Sequence, residues 1–123
     1  MKKIEAFIRH EALEPIRSEL YAIGLPSLSV SDVLGSGRQG GIVEHYRGAT
    51  EVLYLRPKLK LEIVLDDDDV ERVIAVILTH ARTGEAGDGK LIVLNVEEAV
   101  RIRTAERGAT VVAAHDLEQI ATS

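Results

Sequence analysis

Residues 57–81 read PKLKLEIVLDDDDVERVIAVILTHA. In residues 57–65, leucine and isoleucine alternate with lysine and glutamate, which predicts a β-strand with one buried face. After the four aspartates, apolar residues recur at helical spacing and predict a helix that lasts to about Arg82. Aspartate is favoured at helix N-termini, so we interpret residues 66–69 as a cap that compensates the helix dipole, not as a metal site.

The residues before this stretch predict a strand, a helix and a second strand. Apolar side chains alternate with others along residues 2–9, which is typical of a strand. Over residues 12–23 they recur at helical spacing, and Gly24 follows in the place of a C-terminal glycine cap. Residues 27–33 alternate between apolar and hydroxyl-bearing side chains and predict the second strand.

The residues after this stretch complete the predicted fold. A glycine-rich turn over residues 83–89 leads to a strand at 91–94, and we expect a short helical segment near 96–100. A last strand is expected to carry Arg101 and Arg103. The order of the main elements predicts an α+β fold, a ferredoxin-like βαββαβ plait with two helices on one face of an antiparallel sheet.

The predicted sheet has more apolar surface than two short helices are expected to cover. Leu59, Leu61, Ile63 and their neighbours are expected to need additional cover. Association through sheet faces or edges would provide it. We therefore predict a small homo-oligomer with sites between its subunits.

Residues 35–55 have no clear period and contain five glycines. A structureless stretch of this length is uncommon in a small domain and is usually functional. We therefore expect this segment to be a long functional loop.

Composition narrows the classes of function. A chain of 123 residues is expected to form one domain, and its net charge of −5 argues against a general binder of nucleic acids or anionic membranes. The absence of cysteine excludes disulfides, thiolate metal sites and a catalytic thiol. No apolar signal region or 18-residue apolar span is found, so a cytoplasmic location is expected.

Three segments have the chemistry of a polyphosphate site: Gly35-Ser36-Gly37-Arg38, Gly87-Asp88-Gly89-Lys90 and Arg101-Ile102-Arg103. Glycine backbone N–H groups can approach phosphate oxygens closely, and arginine and lysine supply positive charge. None of the segments is a Walker sequence, and the arginines alone are also compatible with a solvated edge strand. If the fold brings the three together, the simplest ligand is a nucleotide.

From Met1 to about Thr104, the chain resembles the PII signal-transduction proteins, which are trimeric sensors of ATP, ADP and 2-oxoglutarate. Besides the three segments above, the resemblance is carried by Tyr46-Arg47-Gly48-Ala49, Pro57-Lys58-Leu59-Lys60-Leu61-Glu62 and Ala81-Arg82-Thr83-Gly84. It implies a PII-like domain over residues 1–106 and a C-terminal tail over residues 107–123, which could pack on the body. Within the domain it implies a T-loop at about 37–55, a B-loop at about 82–90 and a C-loop at about 101–108.

The resemblance implies that ATP or ADP binds between adjacent subunits of a homotrimer. The B-loop would wrap the phosphates, Arg101 and Arg103 would reach across from the neighbouring subunit to neutralise them, and Ser29, Glu62 and Val64 would contact the adenine or ribose. The implied nucleotide-binding residues are Ser29, Gly35, Ser36, Gly37, Arg38, Glu62, Val64, Gly87, Asp88, Gly89, Lys90, Arg101 and Arg103.

The resemblance also implies a second small ligand. Gln39, Gly41 and Lys58 match positions that bind 2-oxoglutarate in the family, with Gln39 as a ligand of the Mg²⁺ that bridges 2-oxoglutarate to ATP. Mg²⁺ suits such a site because it prefers oxygen ligands and often takes several from phosphates. Gly40 replaces the usual lysine, which is expected to loosen the loop.

Partner binding is implied for the T-loop residues Tyr46, Arg47, Gly48 and Glu51. Glu51 and Ala49 stand where other members are covalently modified, so modification at either place is excluded. A membrane transporter or a regulated enzyme is the implied partner, although Arg47 is equally suited to a phosphate or intra-loop contact. The alternative is a divergent paralogue that senses adenylates with another small ligand, such as bicarbonate, or controls metal efflux, without a 2-oxoglutarate response.

Neither a dedicated enzyme nor a histidine metal site is expected. Glu62, Asp88 and Lys90 would lie near ATP, but no residue is recognisable as a general base for a second substrate. The four histidines, His10, His45, His80 and His115, are widely separated and lack ligand spacing. A binding switch is therefore the leading hypothesis.

Overall fold

The computed structural model describes residues 1–35, 44–46, 49–51 and 55–114. Within these ranges the chain forms two α-helices and six strands. In chain order these elements are β1 (Lys2–Ile8), α1 (Leu13–Ala22), β2 (Ser29–Gly35), β3 (Glu44–Tyr46), β4 (Ala49–Glu51), β5 (Arg56–Leu65), α2 (Val70–Ala81) and β6 (Lys90–Asn95).

The main sheet has four strands in the order β2-β5-β1-β6, and every neighbouring pair is antiparallel. Ile4 of β1 lies opposite Ile63 of β5 and Val93 of β6, so these three side chains share one face. The two helices cover that face. The arrangement confirms the predicted α+β, ferredoxin-like βαββαβ fold.

The apolar core lies between the helices and the covered face of the sheet. Leu61 is fully buried, and Leu59 and Ile63 are 6% and 2% exposed. The expectation that two helices could not bury these residues is therefore wrong. Since β5 is an inner strand of the sheet, one face of it lies beneath the helix layer, while its other face carries Lys60, Glu62 and Val64.

Both predicted helices have the expected end signals. Gly24 has φ +83°, its N–H donates to Tyr21, and the N–H of Leu25 donates to Leu20, which together form a Schellman cap. Before α2, the side chain of Asp66 caps a 3₁₀ turn at Asp67–Asp69 by accepting a hydrogen bond from the N–H of Asp68 at 3.3 Å, whereas α2 itself begins without a side-chain cap. The aspartate run therefore contributes to capping this turn, and the described residues contain no acidic or histidine cluster suited to a metal ion.

The chain after β6 differs from the prediction. Residues 96–99 are not helical, and Arg101 and Arg103 lie in or beside a turn instead of a strand. The N–H of Val96 still bonds to Met1, but β1 offers no further partner beyond that point. The chain then folds back on itself, with Ala105 at φ +61° and an isolated bridge between Val100 and Arg107.

Part of the predicted irregular loop is regular. β3 and β4 form a separate two-stranded antiparallel sheet, with the backbone of Tyr46 opposite that of Ala49. Three-residue strands are too short to show a clear alternation in the sequence. The remaining loop positions assigned above lie outside the described residues: Ser36, Gly37, Arg38, Gln39, Gly41, Arg47 and Gly48.

Candidate functional site

The sheet face away from the helices carries a cluster of alternating charges. Lys3 Nζ lies 2.5 Å from a carboxylate oxygen of Glu62 and 3.2 Å from one of Glu5, and Lys60 lies within 3.6 Å of both carboxylates. The hydrogen bond from Lys3 is the main reason that the pKa of Glu62 is lowered. Glu62 is therefore a stable carboxylate that can only accept hydrogen bonds.

A cavity of about 570 Å³ adjoins this cluster. Ser29 at the start of β2 and Glu62 and Val64 on β5 all line it, so the structure brings together the three residues predicted for the adenine or ribose. Leu25 and Leu28 of the α1–β2 connection add apolar walls. Such a volume and mixed lining are typical of small-molecule pockets.

The B-loop is held together by the carboxylate of Asp88. It accepts hydrogen bonds from the backbone N–H groups of Thr83 and Gly84, each at 2.8 Å, and from the Thr83 hydroxyl. Arg9 Nη2 lies 3.4 Å from the same carboxylate. These hydrogen bonds, with the Thr83 hydroxyl first, lower the pKa of Asp88. The side chain of Asp88 therefore organises the loop.

Gly89 brings the end of the B-loop against β1. Its φ is +90°, and a Cβ atom here would lie 1.8 Å from the carbonyl oxygen of Phe7. Gly87 also has a positive φ, of +99°. Asp88, Gly89 and Lys90 line a cavity of about 230 Å³ beside the end of α2.

A third cavity, of about 750 Å³, is lined by residues 85–87 of the B-loop and is named the basic cavity after its cationic residues Arg9, Arg56 and Lys58. Lys58 lines it, is only 9% exposed, and donates a hydrogen bond from Nζ to the carbonyl of Gly87. Burial lowers the pKa of Lys58, and the neighbouring charges of Arg9 and Arg56 lower it further. The charges of Asp88 and Glu11 oppose this lowering in part, and a bound anion would add to that compensation.

Sequence reasoning missed Arg9 and Arg56 as components of this pocket. Arg9 follows β1 directly and donates to the carbonyl of Ala86 at 2.9 Å, while its Nε is buried without a hydrogen-bond partner among the described residues. Arg56 is the first residue of β5, where the register places it opposite Gly35. The sequence does show that Arg9 follows one strand and that Arg56 precedes another. It does not show that these two strand ends lie side by side in the fold.

The predicted phosphate-binding arginines differ in their surroundings. Arg101 pairs with Glu106 at 3.4 Å and donates to the carbonyl oxygen of Val111 at 3.3 Å. Arg103 is exposed in the turn beside Ile102, which is 98% exposed. In the described part of one chain, neither arginine lines the same cavity as the B-loop. The cavity lined by Ser29, Glu62 and Val64, named here the adenine-side cavity after its predicted ligand, does not contain residues 87–90.

Comparison with known proteins identifies the relationship. Residues 1–106 match the family model described as Nitrogen regulatory protein P-II. The chain belongs to the P-II family. It is 49% identical over 108 residues to nitrogen regulatory protein P-II 1 of Methanothermobacter thermautotrophicus, which covers 88% of this chain and 94% of that relative. The nitrogen regulatory protein P-II of Bradyrhizobium diazoefficiens is also 49% identical over 108 residues, covering 88% and 96% of the two chains.

Membership of the P-II family confirms the resemblance found in the sequence. P-II proteins are regulatory signal-transduction proteins and not enzymes, in agreement with the expectation of a non-enzymatic regulator. Among the helices in the described ranges, none combines the length and apolar character that a membrane span requires.

Proposed function

We propose that this P-II protein is a homotrimer that binds ATP and ADP in clefts between adjacent subunits. One subunit would supply Ser29, Glu62 and Val64 for the adenine and ribose and reach the phosphates with Arg101 and Arg103. The B-loop of the next subunit, Gly87 to Lys90, would wrap those phosphates. Gly35, Ser36, Gly37 and Arg38 complete the proposed nucleotide site at the base of the T-loop.

One observation supports this proposal: within one chain, the residues proposed for the base and those proposed for the phosphates line separate cavities. Ser29, Glu62 and Val64 line one cavity, while Asp88, Gly89 and Lys90 line another. A second subunit would bring one set of each type to the same nucleotide. The charges agree with this division, because Glu62 would repel phosphates and Lys90 would attract them.

The basic cavity supports a second, anionic ligand. We propose that 2-oxoglutarate binds there, with one carboxylate at Lys58 and the 2-oxo end on a Mg²⁺ held by Gln39 and ATP. The backbone of Gly41 would complete the site. Support comes from the burial of Lys58 and from the positive charge that Arg9 and Arg56 add beside it.

We propose that ligand binding is reported through the T-loop, residues 37–55, within a PII-like domain of residues 1–106. Ligands that differ in affinity for two loop conformations would change the population able to bind a partner. The proposed contact residues are Tyr46, Arg47, Gly48 and Glu51, and the proposed partner is a membrane transporter or a metabolic enzyme. A cytoplasmic location belongs to the same proposal.

A second candidate function is an adenylate sensor that does not respond to 2-oxoglutarate. The basic cavity favours an anion but does not by itself select a dicarboxylate. Another small anion, such as bicarbonate, would suit the same cations, and control of metal efflux is a further output for such a paralogue. The two candidates differ in whether 2-oxoglutarate binding depends on Mg²⁺ and ATP.

Calorimetric titration with ATP and ADP, each with and without Mg²⁺ and 2-oxoglutarate, tests the proposal. We expect Arg103→Ala to weaken ATP binding by roughly tenfold or more, because a charge-assisted hydrogen bond contributes about 1.5–3 kcal/mol. Lys58→Met should abolish 2-oxoglutarate binding, and its ATP affinity in the absence of 2-oxoglutarate measures how far loss of the Lys58–Gly87 hydrogen bond disturbs the B-loop. Absence of nucleotide binding in the wild-type protein would refute the central proposal.

The partner proposal has a separate test. The purified protein is immobilised and used to capture partners from membrane and soluble extracts, with ATP or ADP present throughout. We expect at least one partner to be retained with one nucleotide and released with the other, and Arg47→Ala to reduce its retention. Identical retention of every protein in both nucleotides would argue against a T-loop switch.

A further inference from the structure

The chain continues beyond the part that matches the P-II family model, and the first residues after it are hydrogen-bonded to Ala99 and Arg101. The match ends at residue 106, whereas the described chain continues to residue 114. The N–H of Gly108 donates to the carbonyl of Ala99 at 2.9 Å, and a single 3₁₀ turn follows at Ala109–Val111. Arg101 then fixes the end of that turn through the carbonyl oxygen of Val111, at 3.3 Å.

This attachment places three small apolar residues on the adenine-side cavity. Val111, Val112 and Ala113 are all half-buried and line it together with Ser29 and Val64. The remaining volume is about 570 Å³, so the segment forms a wall of the cavity without filling it. The exposed residue Thr110 belongs to the same turn but does not line the cavity.

The lining suits a nucleobase better than a phosphate group. Leu25, Leu28 and Val64 offer apolar surface for the faces of a planar ring. Glu62 is a carboxylate paired with Lys3, which also lines the cavity, and its oxygens can accept a hydrogen bond from an exocyclic amine but offer no donor to a phosphate.

We propose that Val111 and Val112 are part of the base-binding site, where they form an apolar wall for the purine ring of a bound nucleotide. The inference rests on the proposed nucleotide function and deepens it, because it assigns contact residues beyond the region that matches the family. Arg101 acts as a positioning residue for this wall through its hydrogen bond to Val111.

The test compares two variants that add the same charge to the same segment. Val112→Asp places a carboxylate on the cavity, whereas Thr110→Asp places one on the exposed side of the turn. We expect Val112→Asp to raise the Kd for ATP by about tenfold or more and Thr110→Asp to change it by less than about twofold. Inorganic tripolyphosphate, which has no base, should bind both variants with equal affinity.

Truncation after Arg107 provides a second measurement that does not depend on an introduced charge. We expect it to weaken ATP binding by a larger factor than tripolyphosphate binding, which changes only through the release of Arg101 from Val111, and thermal denaturation verifies that each variant is folded. Equal ATP affinity for the wild-type, Val112→Asp and truncated proteins would refute the proposed contact between this segment and the base. It would leave the proposed nucleotide binding intact. Tighter ATP binding after truncation would also refute the proposed contact, by showing that the segment competes with the base. A wild-type protein that binds no ATP would refute both.

Discussion

Gly89 is a single position at which backbone conformation and space both require glycine. Its φ of +90° disfavours any side chain, and a Cβ atom would lie 1.8 Å from the carbonyl oxygen of Phe7. Because the Phe7 carbonyl is a backbone group, it cannot rotate away from the added Cβ atom as a side chain could. We predict that Gly89→Ala lowers the free energy of unfolding by more than the ~1–3 kcal/mol typical of an unfavourable φ alone.

Gly84 offers the matched control, because it has φ +88° but no atom within 4 Å of the added Cβ. Gly84→Ala should therefore incur only the conformational cost. Chemical denaturation of both variants measures the difference. Equal losses of stability would show that the contact with Phe7 relaxes without cost.

Asp88 should make the stability of the B-loop depend on pH. Its pKa is lowered in the folded protein, so its contribution is fully present above the ordinary value of about 4 and is lost as pH falls through the lower folded value. We predict that Asp88→Asn is less thermally stable than wild type at pH 7 and that the difference narrows below about pH 4. A difference that stayed constant from pH 7 to pH 3 would contradict this role.

At the scale of elements, the two helices are held to the sheet by residues that the sequence pattern identifies. Leu20 of α1 is fully buried, whereas Leu78 of α2 is 52% exposed. We predict that Leu20→Ala lowers the free energy of unfolding by about 2–5 kcal/mol, because it removes buried apolar area and leaves a cavity. Leu78→Ala should cost less than about 1 kcal/mol in the same denaturation experiment. Similar losses of unfolding free energy for both variants would mean that neighbouring core residues move in to fill the space left by the Leu20 side chain.

The elements that could be predicted are those with a long period and a clear end. β5 and α2 follow directly from residues 57–81, and Gly24 marks the end of α1. The three-residue strands β3 and β4 were missed because two or three side chains cannot establish a period. The helix expected near residues 96–100 was wrong because so short a segment cannot form one without additional contacts.

At the scale of the whole molecule, the sequence predicts which residues belong to the candidate site better than it predicts which residues contact them in the fold. The motif containing Asp88 pointed to the B-loop, but nothing in the sequence placed Arg9 against Ala86 or beside Lys58. Those contacts depend on how strand ends meet in the folded sheet. Likewise, the position of Val111 on the adenine-side cavity follows from the turn around Arg101, which sequence reasoning had assigned to a strand.

The open face of the sheet provides the test of the proposed trimer. Ile92 and Leu94 of β6 are each 40% exposed and, by register with Glu5 and Lys3, lie on the face opposite the helices. We expect the wild-type protein to have three times the chain mass by light scattering coupled to size-exclusion chromatography. Ile92→Asp should shift it towards the monomer, because burying an unpaired carboxylate between subunits is unfavourable.

The control for this prediction is Tyr21→Asp, which adds the same charge to an exposed position on α1, on the far side of the fold from the open face. It should leave the trimer mass unchanged. Ile92→Asp should lose ATP binding together with the trimer, since one chain separates the adenine-side residues from the B-loop. If Ile92→Asp were monomeric and still bound ATP with wild-type affinity, the nucleotide site would lie within a single subunit. If Ile92→Asp remained a trimer, the subunit interface would not lie on the open face of the sheet.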